Sequence, residues 1–341
     1  MKDIKKKKIF KHIIIFLSIL IILDFLYTFI NNYLYPYNFT EKNIFYGLTY
    51  KKNIDKHHFF NLYGKTRYCA DINGFRTKCN KKNEEEYDII FIGNIFTEGM
   101  DLIYEDTFVG QISDRLSNLK IANLGMRTYS SKNYFNKIKF LLDNQIINFN
   151  EVIVYFDISN IKKADLNSDI KTKTSFDFRY SVRNFFRKNF TYFYKIYLQT
   201  LYTIIPKHIW AYSPTNHKSS WTNKSYNKNN DKILNINNEF KYMDKLYKML
   251  KKKNIRLSIG IYPWPYQILY DKKNSEYVEI FKKFCKKKCS NLFNTFPEFF
   301  DAKNRFGKWK TIEKYYMKYS VHLNKNGSKI LSDNFISNYK K

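Results

Sequence analysis

Small residues are scarce at the start of this chain: no alanine precedes Ala70 in its 341 residues. A cleavable signal peptide requires small side chains before its cleavage site, so this scarcity argues against removal of the N-terminus. Acidic residues are also few, with 30 Asp and Glu against 60 Lys and Arg. The resulting net charge of +30 suggests an anionic partner such as nucleic acid, acidic polysaccharide or lipid headgroups. Genome composition is a competing explanation, because the abundant Lys, Asn, Ile, Phe and Tyr all have A/T-rich codons.

The N-terminus combines a basic cluster with a long apolar run. Residues 1–12 carry six Lys, and the eighteen residues Ile13–Ile30 are interrupted only by Ser18, Asp24 and Thr28. This length is close to the roughly 20 residues that cross a bilayer core. One acid within a span costs about 3 kcal/mol, which the Leu and Ile side chains outweigh.

We therefore predict a cytoplasmic tail at 1–12, an uncleaved single-pass transmembrane anchor at 13–32, and a C-terminal part outside the cytoplasm, which is the periplasm if the cell is Gram-negative. The alternative is a buried core helix, which agrees poorly with the Lys cluster directly before it.

Four cysteines form two local pairs along the sequence. Cys69 and Cys79 lie in "CADINGFRTKC", and Cys285 and Cys289 lie in "CKKKC". An oxidising compartment permits disulfides within both pairs. Free thiols and a zinc site are the alternatives; zinc would require the two pairs to converge, and neither has the CxxC spacing.

Short apolar β-rich runs alternate with amphipathic segments from residue 87 onward. Such alternation is typical of βαβ units and a parallel sheet. The sequence predicts strands at 88–93, 120–125 and 151–159, and a fourth in 255–267 that breaks at Pro263. It predicts helices at 107–117, 130–144, 240–254, 275–289 and 323–341, with a short strand or loop at 292–300. No GxGxxG motif, P-loop or internal repeat occurs. We expect an α/β fold, a three-layer sandwich with a central parallel sheet of the flavodoxin-like type.

Two other segments complete the predicted organisation. Residues 33–86 have no strong period and are expected to be a linker and lead-in segment, and 87–341 form the main domain. An insertion at about 160–235 interrupts this domain. Its basic, aromatic stretch over 176–205 predicts a helix, which either lies on a membrane surface or packs on the domain as a lid. The polar stretch at 213–232 predicts a loop.

Binding and catalytic sites of open parallel sheets lie at the carboxyl ends of the strands. The residues expected there are Gly93 to Ile95, Gly125, Asp157 to Asn160, and Pro263 to Pro265 with Trp264. His322 lies in a turn before the last helix.

These blocks resemble the SGNH, or GDSL-like, hydrolase family. Its members carry a strand followed by Gly-Asp-Ser, often "FIGDSFTEG", where this chain has "FIGNIFTEG". "NLGMRTYSS" resembles the second block, "YFDISN" is an unusual third block, and "YSVHLNKNG" resembles the last. The resemblance extends from about residue 87 to the C-terminus.

The resemblance implies a Ser nucleophile, a His general base, an Asp that orients the His, and oxyanion donors. Ile95 stands at the nucleophile position, Ser320 at the acid position and His322 at the base position. Carried over position by position, the oxyanion residues are Gly93, Asn94, Gly125 and Ser159. Trp264 is added as a cleft residue because it follows a predicted strand.

Other hydroxyls do not restore the missing nucleophile. Thr97 lies two residues after the expected position, and Thr128, Ser130 and Ser131 are interpreted as residues at a helix start. On this basis an Ile95→Ser change would also need Ser320→Asp to restore activity.

The sequence therefore predicts a degenerate, inactive hydrolase-like protein of the cell envelope, with neither metal nor cofactor. Its expected partners are the membrane, an acylated polysaccharide or an envelope-assembly protein. The alternative is an active ester hydrolase or O-acyltransferase with displaced catalytic residues. A nucleic-acid partner is disfavoured by the compartment and by the lack of a binding motif.

Overall fold

The computed structural model describes residues 2–34, 38–60, 64–80, 84, 86–158, 182, 185–186, 188–204, 231–318 and 320–339. The chain divides into two compact units. The first contains residues 1–38, 57–66 and 171–206, and the second contains 39–56, 67–170 and 207–341.

Helices and strands alternate over most of the second unit, and the first is dominated by one long helix. The helices are α1 Lys2–Leu34, α2 Ile95–Glu98, α3 Phe108–Arg115, α4 Ser131–Asp143, α5 Thr191–Ile204, α6 Asp231–Lys252, α7 Pro265–Tyr270, α8 Glu276–Lys288, α9 Phe296–Phe306, α10 Lys308–Tyr315 and α11 Lys325–Asn338. The strands are β1 Thr40–Asn43, β2 Gly47–Tyr50, β3 Ile54–Phe60, β4 Gly64–Ala70, β5 Arg76–Thr77, β6 Glu86–Gly93, β7 Ile121–Asn123, β8 Asn148–Phe156, β9 Arg256–Ile261 and β10 Leu292–Asn294.

A mostly parallel sheet with helices around it forms the core, as the sequence predicts. Its order is β10-β9-β8-β6-β7-β5-β4-β3, and the pairs from β10 to β7 are parallel. The central strand β6 is buried through its apolar run because β7 and β8 cover both of its edges. Helix α4 packs against α6 and α3 packs against α11. The α/β three-layer fold class is therefore confirmed.

The part of the chain before residue 87 is more ordered than its sequence pattern predicts. The segment 33–86 holds β1 to β5, and β5 joins the sheet antiparallel to β7. Both predicted cysteine pairs are bonded: Cys69 to Cys79, with Cα atoms 5.2 Å apart, and Cys285 to Cys289, with Cα atoms 4.5 Å apart. These bonds exclude the free-thiol alternative and leave no thiolate for zinc.

Two predicted elements differ in their bounds or type, and a third cannot be compared. The strand in 255–267 was expected to break at Pro263 and ends at Ile261, and Pro265 then begins helix α7, as proline does readily at a first helical position. The segment at 292–300 divides into β10 and the start of α9. The loop expected at 213–232 lies almost entirely outside the described residues.

Helix α1 is the one helix of the described residues that is long and apolar enough to cross a membrane, over Lys7–Leu34. Its large apolar side chains are mostly exposed, unlike those of a core helix.

Candidate active site

The carboxyl end of β6 turns directly into the short helix α2. Asn94 is the N-cap of this helix, and its side-chain oxygen accepts a hydrogen bond from the Phe96 N–H at 3.2 Å. Ile95 is the first helical residue and is half-buried. Gly99 ends the helix in the left-handed conformation, with φ 66°. The position at which the family resemblance implies a nucleophile is therefore the start of α2, and its side chain is aliphatic.

Gly93 and Gly125 allow α2 to pack closely against the sheet. A Cβ atom on Gly93 would lie 2.1 Å from the Thr97 Oγ1, and one on Gly125 would lie 2.3 Å from the backbone nitrogen of Glu98. The Gly125 N–H donates to the Asn123 side-chain oxygen at 2.9 Å. Both glycines are thus explained by packing, and the N–H of Gly125 already has an acceptor inside the protein.

Phe96 connects α2 to the ends of two other elements. Its ring centroid lies 4.8 Å from that of Tyr262, 5.6 Å from Trp264 and 5.5 Å from His322. The structure therefore brings together residues that follow β6 and β9 with the turn before α11. The first and the last of the four sequence blocks meet at this edge of the sheet, beside the residues that follow β9.

Asp157, which follows β8, contributes a fully buried carboxyl group to the same edge. Its Oδ2 accepts from the Tyr262 hydroxyl at 2.7 Å and from the Trp264 Nε1 at 3.0 Å. Trp264 is 5% exposed, so its indole serves mainly to satisfy this carboxyl and not as an open cleft wall. Burial, followed by the Asp157 charge, raises the pKa of Tyr262 well above its ordinary value.

His322 is paired with an acid that the sequence analysis did not assign. The imidazole Nδ1 lies 3.2 Å from the Asp101 Oδ2, and the two side chains are 20% and 7% exposed. A carboxylate only accepts hydrogen bonds, so in the neutral imidazole this contact favours the tautomer with the proton on Nδ1 and the lone pair on Nε2. The pair therefore has the arrangement of a general base with its orienting acid.

Ser320 does not take the acid's place. Its hydroxyl oxygen accepts from the backbone N–H of His322 at 3.2 Å, which shapes the turn. The sequence was expected to lack a carboxylate that orients His322. The structure has one, Asp101, which lies in the loop after α2.

The strands before residue 87 hold Asp101 in place. The Arg76 guanidinium, fully buried on β5, donates to the carbonyl oxygens of Glu98, Gly99 and Leu102; the Gly99 distance is 2.6 Å. The Asp101 N–H donates to the Tyr68 hydroxyl on β4 at 3.0 Å. Asp101 itself has φ 71°, a conformation that needs such support. Arg76 and Tyr68, which lie in the segment predicted to be a linker and lead-in, therefore position Asp101.

Glu98 is a second buried acid behind the site. Its carboxylate accepts from the Tyr50 hydroxyl and from the Arg127 backbone N–H, each at 2.6 Å. Burial raises the pKa of Glu98, and these hydrogen bonds and the Arg76 charge oppose that rise. The group has no route to a substrate, because it is fully enclosed between α2 and β2.

No Ser or Thr hydroxyl among the described residues hydrogen-bonds to the His322 imidazole. Thr97 is fully buried against Gly93, and Ser131 is fully buried at the start of α4. Ser130 donates to the Asn133 side chain within a capping box. Thr128 is exposed, with φ 77°. Ser159, the expected third-block residue, lies outside the described residues.

Within the described part of the chain, one group of possible metal ligands lies close together: Asp55 with Cys69 and Cys79. The two sulfur atoms are bonded to each other, so neither is a thiolate ligand.

No protein-family model and no curated protein matches this chain. Its structure is similar to a member of the lipolytic protein G-D-S-L family from Veillonella parvula, at 12% identity and TM-score 0.42, covering 73% of this chain and 96% of the other. It is also similar to the psychrotrophic esterase EstA from Pseudoalteromonas sp., at 11% identity and TM-score 0.38, covering 75% and 96%. A GDSL-like lipase from Bacteroides thetaiotaomicron matches at 12% identity and TM-score 0.35, covering 74% and 86%.

Proposed function

We propose that this chain is a single-pass membrane protein whose hydrolase-like domain lies outside the cytoplasm, lacks serine-esterase activity and binds an acylated polysaccharide during envelope assembly. One observation carries the inactive part: the residue that begins α2 is Ile95, and no described hydroxyl hydrogen-bonds to the His322 imidazole. Loss of the nucleophile of a Ser-His-Asp site typically lowers turnover by about a millionfold.

The chemistry of the strand edge supports a glycan ligand. The Phe96 ring lies beside the His322 imidazole, which is paired with Asp101, so the site combines an apolar face with hydrogen-bonding groups. Ligand sites typically have this mixture. An exposed anchor helix, α1, supports a place at the membrane, where envelope polysaccharides are assembled.

The test measures labelling and binding on the same preparation of the full chain in detergent. We expect no labelling by a fluorophosphonate probe and retention of an O-acetylated polysaccharide in preference to its chemically deacetylated form. Ile95→Arg should abolish that preference by filling the start of α2. Ile146→Arg introduces the same charge just before β8, at the opposite edge of the sheet, and should leave binding unchanged. Robust labelling of the unmodified chain would overturn the inactive proposal, and equal retention of both glycans would overturn the ligand.

The Asp101–His322 pair favours a second candidate, an ester hydrolase or O-acyltransferase with displaced catalytic residues. Nε2 could accept the proton of a water or of an acceptor sugar hydroxyl as that oxygen attacks an acyl carbonyl; the ester C–O bond then breaks and the proton passes to the leaving alkoxide. This candidate requires ester turnover by the unmodified chain that His322→Ala and Asp101→Asn both remove. Turnover that survives His322→Ala would exclude it.

A further inference from the structure

The anchor helix contains an acid that is shielded although its neighbours are exposed. Asp24 is 5% exposed and Thr28 is 2% exposed, whereas Leu23 and Phe25 on either side of Asp24 are 55% and 46% exposed. A carboxylate within a span is costly unless it faces a partner. Something in the first structural unit therefore covers one face of α1 at this level.

The cover is the first turn of helix α5, from the insertion. The Tyr192 and Phe193 N–H groups donate to the two Asp24 carboxylate oxygens, each at 2.9 Å. The Thr191 N–H donates to the Thr28 Oγ1, also at 2.9 Å. These are the first N–H groups of α5, which have no carbonyl partner inside the helix.

The insertion supplies no cap of its own at this helix start. The residue before α5 is Phe190, whose side chain has no acceptor atom. Asp24 and Thr28, more than 160 residues earlier, therefore act as the cap of α5. A negative side chain at this end also complements the helix dipole.

Two further contacts hold the insertion along the outer half of α1. The Phe190 ring lies 6.1 Å from the Phe25 ring, and the Asn32 side chain donates to the Lys188 carbonyl at 3.3 Å. Asp24 lies ten residues before Leu34, the end of α1, which is about 15 Å along the helix. If α1 spans a bilayer, the first turn of α5 thus lies well below the outer lipid boundary.

In the first two turns of α5 the exposed described side chains are apolar or aromatic, and Gln199 and Thr200 are exposed beyond them. Tyr192, Ile196 and Tyr197 are 56%, 43% and 55% exposed. Before α5, Phe185 and Phe186 are also exposed. This surface continues the exposed apolar surface of α1, and only a bilayer covers such a surface without a further protein.

We propose that α5 is a second membrane helix, embedded beside α1 in the acyl-chain region, with Asp24 and Thr28 fixing its N-terminus there. Its 14 residues reach about 21 Å, too short for a bilayer core of about 30 Å, so it enters without crossing. The occupant of its apolar face is lipid. Asp24 is thereby a positioning residue of the anchor and not a defect in it.

The inference rests on the proposed single-pass anchor, and the test separates the two. The full chain is reconstituted into vesicles of phosphatidylcholine and phosphatidylglycerol. Single cysteines carry a nitroxide label, and the four native cysteines are already bonded in pairs and do not react. Labels are placed by Tyr197→Cys on α5, Leu17→Cys on α1 and Lys282→Cys on α8. A label that collides mainly with oxygen lies in lipid, and a label that collides mainly with a water-soluble nickel complex lies in solvent.

We expect the labels at 197 and 17 to favour oxygen and the label at 282 to favour nickel. Asp24→Leu should raise nickel collisions at 197 by about threefold or more, because α5 loses two acceptors of its first turn, while the label at 17 stays in lipid. Ser18→Leu also makes the anchor more apolar, but Ser18 lies on an exposed part of α1, and this control should change neither label.

The labels distinguish a failure of the proposed anchor from a failure of the inference about α5. A label at 17 that collides with nickel as readily as the label at 282 would overturn the anchor, and with it the membrane part of the proposed function. A label at 17 in lipid with the label at 197 in solvent would overturn this inference alone, as expected for a lid. A label at 197 that stays in lipid in the Asp24→Leu protein would overturn the role of Asp24.

Discussion

At the scale of single residues, the candidate site holds a His–Asp pair, and no Ser or Thr hydroxyl of the described residues hydrogen-bonds to its imidazole. The imidazole of His322 is held by Asp101, and Arg76 and Tyr68 in turn hold the Asp101 loop. Such a pair is costly to maintain, since Asp101 has positive φ and is 7% exposed. If the proposed loss of the nucleophile is right, this pair means that one added hydroxyl at the start of α2 completes the site.

Ile95→Ser alone should therefore give a reactive serine, without Ser320→Asp. The orienting acid is already present as Asp101, so the added hydroxyl needs only His322 to remove its proton. We expect fluorophosphonate labelling of the Ile95→Ser chain and a decrease on the order of 10³-fold or more when Asp101→Asn is added, because the wrong tautomer is then favoured. Ile95→Ala is the control and should remain unlabelled. Equal labelling with and without Asp101→Asn would show that Asp101 does not orient His322.

Lys137 of α4 provides a prediction about pH. Its ammonium is fully enclosed by the rings of Tyr46, Phe75 and Tyr129, at 5.3 to 5.7 Å. Burial lowers the pKa of Lys137 from its ordinary value to about 7, against the opposing charges of Asp71 and Glu98. The folded chain thus releases a proton that the unfolded chain still binds between about pH 7 and pH 10.5.

Stability should consequently rise with pH across that window, by up to about 1.4 kcal/mol per pH unit from this group. Lys137→Met removes the dependence, so the variant should gain most over the parent at about pH 6 and little at about pH 10. Denaturant unfolding at both pH values measures this. Lys132→Met, on the exposed side of the same helix, should leave the dependence intact. A similar gain from Lys137→Met at both pH values would contradict the lowered pKa.

At the scale of elements, the apolar runs at 88–93 and 151–159 predict central strands because burial on both faces requires near-continuous hydrophobicity. The hydrophobic pattern does not predict β1 to β5, since these strands carry polar and aromatic residues without a clear alternation. Asp101 could not be assigned from the sequence for a related reason. It lies in an irregular loop, and its contact with His322 spans 221 residues.

The two disulfides allow a matched comparison between elements. Cys69–Cys79 connects β4 to the chain after β5, with a separation of 10, whereas Cys285–Cys289 spans the end of α8, with a separation of 4. Loop entropy predicts stabilisation of about 3 and about 2 kcal/mol respectively. The double alanine variants should differ in that order when unfolded by denaturant. A larger loss from removing Cys285–Cys289 would mean that native packing at α8, not loop closure, dominates.

At the scale of the whole molecule, the site and the contacts of α1 with α5 are assembled from distant segments. The strands before residue 87 support the acid of the site, and the insertion supplies the helix that shields Asp24. Hydrophobic periodicity reports only local neighbours along the chain, so neither arrangement could be predicted from it. Arg76 and Asp24 connect distant segments of the chain, and neither belongs to a block of the family resemblance.

The Lys residues on either side of α1 predict the orientation of the whole chain. Six Lys precede the anchor within residues 1–12, against three in the eighteen residues that follow Leu34: Lys42, Lys51 and Lys52. The excess should keep the N-terminus in the cytoplasm and place the C-terminus outside it. Two disulfides in the domain agree with an oxidising compartment.

A reporter enzyme that needs disulfides to fold should be active when fused after Lys341, and a strictly cytoplasmic reporter at the same place should be inactive. Replacing the six Lys by Gln removes the bias and should give a mixture of both orientations, whereas the same number of Lys→Gln changes on the exposed surface of α6 and α8 should not. Activity of the cytoplasmic reporter in the unmodified chain would reverse the assigned orientation, because a single span places its two ends on opposite sides of the membrane.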